Sequence, residues 1–415
     1  MAIQLNPKYK MLIEKFVSNI DVRQWITVLG LPEYRPLLES VYKIHKVHIS
    51  EEDANTLLAD LLVTTLPRLD RDGVKGLLSE EKNKQHLYAL VNSIQELIES
   101  LPWDMTVHFS LPKFENLSPF RVQLGDIMSL QFGMDNAPKM PRRKGLADLL
   151  NVHHEEPVED CAWLSIKVRG FGDFRGDSAA VSQAMALAKQ CNFFLRKFCR
   201  SGWTGDAGAY IETPKDSVRL SVPHAFRTMF ASLTPSPTLL SEFYPSADLL
   251  DHLDKRNPQP IKMSLGITNA LATAGRFFAL KADGDVEAIG AAIEWYMDSV
   301  SAENETFGYL AACIGLEAIL TAGDGADRLD NLSARLSDRY GFLMGVGAQD
   351  RKKLSDEYRS LLNLRGKLVH ARRRSLKANE QDQLHRVRYM LSSVIDKEVT
   401  SLLSANEGAS PVVDN

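Results

Sequence analysis

Residues 162–168, AWLSIKV, place an apolar side chain at every second position. This period of two is typical of a β-strand with one buried face, because successive side chains of a strand point to opposite sides. The same alternation occurs at 106–111 and 121–124, and shorter strand-like pieces occur at 209–212 and 218–222. We therefore expect a sheet. Because most of the remaining sequence has helical periodicity, the presence of this sheet decides the fold class.

Helical periodicity dominates on both sides of the strand-rich region. Residues 1 to about 100 carry apolar side chains at spacings of three and four, and Ser50 followed by three acidic residues is typical of a helix start. Residues 178–200 have one apolar stripe and predict an amphipathic helix. Asp285 is a candidate N-cap in the C-terminal part of the chain. The helices predicted there lie near 264–281, 284–300, 303–321, 327–345, 349–369 and 379–404.

These patterns predict an α+β protein with a mainly α-helical N-terminal region, a mixed α/β middle region and an all-α C-terminal helical bundle. The chain has 415 residues, enough for two or three domains. The proline-rich stretch 231–260 is the best candidate for an interdomain connection. We therefore expect domains at 1–100, 101–260 and 261–404, followed by a flexible tail at 405–415.

Composition excludes several classes of protein. Hydrophobic residues make up 44% and charged residues 25%, which are globular values, and a net charge of −4 excludes a basic nucleic-acid coat. The four cysteines form no CxxC pair, and the run HHEE at 153–156 lies in a polar, proline-bounded loop, so we expect no metal site and no cofactor. We find no signal peptide and no stretch of ~18–20 apolar residues, so we expect a cytoplasmic protein without a membrane partner.

The most informative segment is YRSLLNLRGKLVHARRR at 358–374. Residues 350–377 contain ten basic and three acidic residues, a local charge of +7 that attracts phosphate backbones. Within the segment, His370 can take the proton of a ribose 2′-OH, since histidine changes charge near neutral pH. Arg365 can hold the charge that builds on the scissile phosphate. No metal is required if the 2′-OH is the internal nucleophile.

The spacing of this pair sets a geometric condition. At ~100° per residue, Arg365 and His370 lie about 140° apart on an ideal helix and do not share a face. Either the helix bends or ends near Gly366, or the site is completed across a two-fold interface that brings two such pairs together. The alternative explanation of the motif alone is a solvated basic helix end.

The C-terminal region resembles the HEPN superfamily, and most closely its ApeA-like branch, over about 283–404. The segment LRGKLVH at 364–370 matches the family signature of Arg, four to six residues, then His, near the end of an all-helical domain. The segment GLEAIL at 315–320 is similar to the family's second long helix, which carries a Glu in an apolar setting. Arg335 and Arg339 fall where the branch tends to carry arginines.

The resemblance implies a HEPN-like bundle that acts as a metal-independent endoribonuclease of toxin or antiviral-defence type on tRNA or mRNA. It also implies a homodimer or higher homo-oligomer with the active site between protomers. Arg365 and His370 would be catalytic; many family members carry a polar residue directly after the Arg, where this sequence has Gly366. The expected supporting residues are Glu317, Asn363 and Tyr358, and the expected RNA-binding residues are Arg359, Lys367, Arg372, Arg373 and Arg374.

Alternatives stay open for one residue and for the function. Glu317 either hydrogen-bonds Arg365 and holds its guanidinium or pairs with Arg335 or Arg339 for structure alone, since an unpaired buried carboxylate is costly. The region before residue 260 has no catalytic motif, and we expect a sensor or regulatory module with an unknown trigger. The rival functions are a non-catalytic HEPN-like module that binds nucleic acid or protein and a purely structural helical protein.

Overall fold

The structure, a computed structural model, describes residues 6–113, 120–132, 161–172, 178–196, 209–212, 217–219, 265–321, 332–370 and 375–407. In these ranges a helical N-terminal region is followed by a sheet with helices packed on it and then by a helical bundle. The predicted α+β class is confirmed. The proline-rich stretch 231–260 and the HHEE run lie outside the described residues. None of the helices described combines the length and apolar character needed to cross a membrane.

The N-terminal region folds around its own hydrophobic core, to which Phe16 and Leu62 contribute completely buried side chains. Ser50 begins the third helix as predicted, in a capping box in which its hydroxyl accepts from the Asp53 amide and the Asp53 carboxylate accepts from the Ser50 amide. The α-helices described here are α1 Pro7–Ser18, α2 Tyr34–His45, α3 Glu51–Arg71 and α4 Lys84–Ser100, with short 3-10 helices at Val22–Gly30 and Glu81–Asn83.

The middle region forms an antiparallel sheet with the strand order β2-β3-β4-β1-β5-β6. The sequence pattern MSLQF at 128–132 alternates like the others but was not predicted as a strand; it forms β3, joined to β2 by a tight turn through Gly125 at φ 67°. A positive φ favours glycine. The strands are β1 Trp103–Lys113, β2 Phe120–Leu124, β3 Met128–Phe132, β4 Cys161–Gly170, β5 Ala209–Glu212 and β6 Ser217–Arg219.

One hydrophobic core joins the sheet to the C-terminal helices. Helix α5 (Ala179–Leu195) packs on β4, and helix α6 (Leu265–Phe278) packs on β2 and α5. Val107 of the sheet and Leu316 of the C-terminal bundle are buried in the same core. The sequence-based division near residue 260 therefore runs through a shared core, whereas the N-terminal helices keep a separate one.

The C-terminal bundle is arranged around one central helix, α8, which packs against each of the other four. Gly315 permits the close approach, because a Cβ there would lie 2.8 Å from Cδ2 of Leu391 and 3.0 Å from Cβ of Trp295. The N-cap of α7 is Asp283 rather than the predicted Asp285, because the Asp283 carboxylate accepts from the next free amides. The bundle comprises α7 Gly284–Ser301, α8 Glu305–Thr321, α9 Leu332–Met344, α10 Ala348–Val369 and α11 Gln381–Glu407, and a 3-10 helix, Ala378–Glu380, precedes α11.

Helix α5 contacts all three regions of the chain. At its N-terminus, the amide of Ala179 donates to the Asp53 carboxylate of α3 at 3.3 Å. Near its C-terminus, Arg196 binds Asp396 of α11 at 2.7 Å. In between, Lys189 binds Asp298 of α7 at 2.6 Å. These contacts make α5 one element that connects the N-terminal helices to the bundle.

Candidate active site

Helix α10 carries the predicted catalytic motif. It packs one face against α8 and α9 through side chains that recur at helical spacing, among them Leu361, Leu364 and Leu368. The helix continues through Gly366 and ends at Val369. His370 is the C-cap residue, and its amide donates to the Gly366 carbonyl at 3.1 Å. The segment from Arg365 to Val369 is therefore helical, and only His370 lies beyond the end of the helix.

Arg365 points towards α8 and contacts Glu317. Its Nη2 atom lies 3.4 Å from Oε2 of Glu317, and the two side chains are 31% and 25% exposed. Burial raises the pKa of Glu317, and the positive charge of Arg365 opposes that shift. The pair therefore lies at the edge of the core, where solvent and solutes still reach it.

Glu317 belongs to a column of polar side chains on α8. Tyr309, Cys313 and Glu317 are four residues apart and share one side of the helix. The Tyr309 hydroxyl donates to the Leu361 carbonyl at 2.8 Å and ties α8 to α10. Burial raises the pKa of the Cys313 thiol to about 12, so this thiol stays neutral. The column was not predicted, although its spacing of four was readable in the sequence.

Tyr358 lies behind the Arg365–Glu317 pair. Its ring is buried and stacks on Tyr340 of α9, with centroids 5.5 Å apart and planes at 26°. Among the described residues its hydroxyl has no hydrogen-bond partner, although it is buried. Burial raises the pKa of Tyr358, the negative charge of Glu317 raises it further, and Arg365 lowers it. The hydroxyl is thus within electrostatic range of both members of the pair.

His370 lies on the opposite, exposed side of α10. Asn363, expected near Arg365, is about 160° away from it around the helix and about 20° from His370. Lys367 is exposed on the same side. The structure thus brings Arg365, Glu317 and Tyr358 together on the inner side and places His370 with Asn363 and Lys367 on the outer side.

Arg359 also lies on the outer side, but its charge is shared with carboxylates. One guanidinium nitrogen lies 3.1 Å from Asp338 of α9 and another lies 3.6 Å from Asp356. All three side chains are exposed, so water screens the pair. The expected RNA-binding residues Arg372, Arg373 and Arg374 lie outside the described residues.

A shallow groove of about 620 Å³ runs between α10 and α11 on this outer side. Lys352, Lys353 and Arg386 line it together with uncharged polar side chains and two carboxylates. Arg386 binds one of these, Glu357, at 2.6 Å. The groove was not predicted, because it depends on how two consecutive helices lie against each other.

Gly366 separates the two sides of the helix. It lies about 100° from Arg365 and about 40° from His370 around the helix. A Cβ at this position would have no atom within 4 Å, so the surface between the two predicted catalytic residues is open.

The arrangement defines a class of site. A guanidinium and an imidazole flank an open stretch of helix within a basic segment, which suits phosphate binding and proton transfer. In the part of the chain that the structure describes, no group of three His, Cys, Asp or Glu side chains is placed to hold a metal ion. Comparison of the chain with protein-family models, curated proteins and solved structures gives no match.

Proposed function

We propose that the protein is a metal-independent endoribonuclease whose C-terminal bundle is HEPN-like. The observation that carries the proposal is that the Arg365 guanidinium lies at a solvent-accessible edge of the bundle. The open surface at Gly366 separates it from the side of α10 that bears His370. The basic segment around them supplies the attraction for RNA. The protein would act on tRNA or mRNA in the cytoplasm, as a toxin or an antiviral effector.

His370 would take the proton of the ribose 2′-OH, and the 2′-oxygen would attack phosphorus. The bond from phosphorus to the 5′-oxygen breaks, and the 5′-oxygen takes a proton, which leaves a 2′,3′-cyclic phosphate and a 5′-hydroxyl. Arg365 would hold the negative charge that builds on the phosphate in the transition state. Arg359, Lys367 and the following arginines would attract the RNA backbone.

The angular separation of the two residues favours a site shared between protomers. Arg365 and His370 of one chain lie about 140° apart on a continuous helix. In a homodimer with a two-fold axis near Gly366, Arg365 of one protomer would face His370 of the other. Each dimer would then hold two sites.

The region before residue 260 would regulate the nuclease in response to an unknown trigger. Helix α5 supports this role, because it contacts α3 of the N-terminal region and both α7 and α11 of the bundle. A shift of the N-terminal helices would therefore act on the same core that positions α8 and α10.

The test is cleavage of end-labelled tRNA and mRNA by the purified protein with a chelator present. Wild type should leave cyclic phosphate ends, and His370→Ala and Arg365→Ala should each lose about 10²-fold or more in rate. His385→Ala, which removes an exposed histidine of α11, is the matched control and should cleave like wild type. Cleavage that persists in His370→Ala would contradict the proposal.

The second candidate is a non-catalytic HEPN-like module that binds nucleic acid. The groove lined by Lys352, Lys353 and Arg386 favours it, because binding there needs neither predicted catalytic residue. In that case wild type, His370→Ala and Arg365→Ala would bind RNA with equal, salt-sensitive affinity, and none would cleave. Filter binding at several salt concentrations, done on the same RNAs, distinguishes the two candidates.

A further inference from the structure

The contact between Arg365 and Glu317 is loose. It joins one guanidinium nitrogen to one carboxylate oxygen at 3.4 Å, whereas charge-assisted bonds between such groups are usually about 2.7–2.9 Å long. A guanidinium carries five N–H donors in a planar fork, so donors remain for another anion. Both side chains are partly exposed, and such an anion can reach them from solvent.

The Tyr358 hydroxyl supplies the second observation. A buried hydroxyl without a hydrogen-bond partner among the described residues is uncommon, and this one is within electrostatic range of Glu317, Cys313, Arg365 and Tyr340. Among these the Glu317 carboxylate is the strongest acceptor for an O–H donor. The carboxylate therefore has two neighbours that can stabilise it, of which Arg365 is in contact and Tyr358 is not.

We infer that Arg365 is an anion-exchange site, in which a phosphate displaces Glu317 from the guanidinium and the Tyr358 hydroxyl then donates to the released carboxylate. In the absence of a phosphate, Glu317 binds the guanidinium and excludes anions that bind weakly. Tyr358 is a positioning residue, since it acts through Glu317 and not on the ligand. The inference rests on the proposed function in taking an RNA phosphate as the anion, but the exchange needs no cleavage.

The exchange depends on pH with a defined sign. A protonated Glu317 does not hold the guanidinium, so anion affinity rises as the pH falls through the pKa of Glu317. Burial keeps the neighbouring Cys313 thiol and Tyr358 hydroxyl neutral throughout, because it raises the pKa of both. Arg365 is the charged group that contacts Glu317, and Tyr340 of α9, which stacks on Tyr358, has its pKa raised by burial to about 12.

The first experiment measures binding of a fluorescent 2′-O-methyl RNA, which lacks the nucleophile and cannot be cleaved. Glu317→Gln should bind about three- to tenfold more tightly than wild type at pH 7.5. Glu39→Gln is the matched control, because it makes the same substitution in an exposed pair, with Arg35, in the N-terminal region. Equal gains in the two variants would show that only net charge matters and would overturn the inference.

The pH profile separates the contribution of Glu317 from that of histidine side chains, which are generally protonated at low pH. The affinity of wild type should rise from pH 8 to pH 5 more steeply than that of Glu317→Gln, because His370 is present in both. Parallel profiles would overturn the inference. If the probe binds neither wild type nor Glu317→Gln at any pH, no anion exchanges at Arg365 and the inference also fails.

The second experiment tests Tyr358 in a double-mutant cycle. Tyr358→Phe should weaken binding about two- to fivefold in the wild-type background and have no effect in Glu317→Gln, where no carboxylate is released. An equal effect in both backgrounds would indicate a purely structural role and overturn that part of the inference. If anion exchange is observed but no cleavage, the exchange stands and the function is the binding module. If cleavage depends on His370 and Glu317→Gln has no effect on binding, the nuclease proposal stands and the exchange is refuted.

Discussion

The two sides of helix α10 hold the same kind of ion pair in different physical situations. On the outer side, Arg359 and Asp338 are 47% and 59% exposed, and water screens their attraction. On the inner side, Arg365 and Glu317 are mostly buried, and burial raises the pKa of the carboxyl in spite of the arginine. The outer pair contributes about 0–1 kcal/mol to the free energy of unfolding and has little effect on the surrounding chemistry. The inner pair determines whether the Arg365 guanidinium is available to bind an anion.

The same comparison separates the two predicted catalytic residues. Arg365 is oriented by the bundle through Glu317, whereas His370 is exposed at the helix C-terminus. An inner group held by one ion pair and an exposed outer group suit a site that is completed only when another molecule approaches. Substitutions on the two sides therefore test both the proposed nuclease activity and the proposed dimer.

The largest expected effect is recovery of cleavage when two inactive variants are mixed. If each site takes Arg365 from one protomer and His370 from the other, a heterodimer of Arg365→Ala and His370→Ala contains one intact site and one site that lacks both residues. Half of the dimers in an equal, fully exchanged mixture are such heterodimers, so about a quarter of wild-type activity should return. Each variant alone stays down by about 10²-fold.

The measurement is the cleavage rate of the mixture after subunit exchange, with mixtures of each variant and buffer as the baseline. No recovery in a mixture shown by mass photometry to contain dimers would place both residues of a site in one chain. In that case α10 must rearrange near Gly366 for the two side chains to meet.

The second effect concerns stability and contrasts the sides directly. Leu361 is 2% exposed on the inner side, and Leu361→Ala should lower the free energy of unfolding by about 2–5 kcal/mol because it leaves a cavity. Asn363→Ala, two residues away on the outer side, should change it by less than about 0.5 kcal/mol. Urea unfolding followed by circular dichroism gives both values. A similar loss in the two variants would mean that the outer side is covered in solution, as in a stable dimer.

The third effect is the pH dependence of stability at Glu317. Its pKa in the folded protein is raised above the ordinary 4.5, so the carboxyl contributes stability that is fully present below about pH 4.5 and is lost as the pH rises through the folded pKa. Glu317→Gln lacks this loss. Its Tm should match that of wild type near pH 4 and exceed it once the pH is above the folded pKa of Glu317.

Differential scanning fluorimetry from pH 4 to pH 8 follows this difference, and Asp338→Asn reports the effect of removing a carboxylate from an exposed pair. A Tm of Glu317→Gln that falls below that of wild type as the pH rises would mean that the pairing with Arg365 outweighs the cost of burial. The sign of the difference thus measures which of the two effects dominates at the inner pair.

Local patterns were sufficient for most elements of the fold. Helix α10 was predicted at 349–369 and spans 348–369. The prediction was accurate because the spacing of the apolar residues is enough to identify this helix. The missed strand β3 had the alternation of a strand, and its turn at Gly125 was the additional signal. The N-cap of α7 could not be chosen from sequence, since Asp283 and Asp285 flank one glycine and only the backbone conformation selects between them.

Contacts between distant parts of the chain could not be derived in the same way. The 100° per residue of a helix was enough to assign Arg365 and His370 to different sides. It could not decide between Arg365 and the arginines of α9 as the partner of Glu317, because that choice depends on how α8 lies against α10. The Tyr358 hydroxyl, which has no hydrogen-bond partner in the part of the chain that the structure describes, and the shared core of sheet and bundle are likewise properties of packing.

The smallest expected effect concerns the glycine between the two sides. Gly366 lies inside α10 with no atom within 4 Å of an added Cβ, so Gly366→Ala should raise the free energy of unfolding by about 0.5–1 kcal/mol through helix propensity alone. Gly315→Ala in α8 should do the reverse, because its Cβ would lie 2.8 Å from Cδ2 of Leu391. If RNA phosphate approaches the helix at the open surface, the more stable Gly366→Ala variant should cleave or bind more weakly than wild type. Urea unfolding gives the sign of the stability change, and RNA binding by the same samples gives the sign of the affinity change. A gain in stability without any loss of binding would place the phosphate away from Gly366.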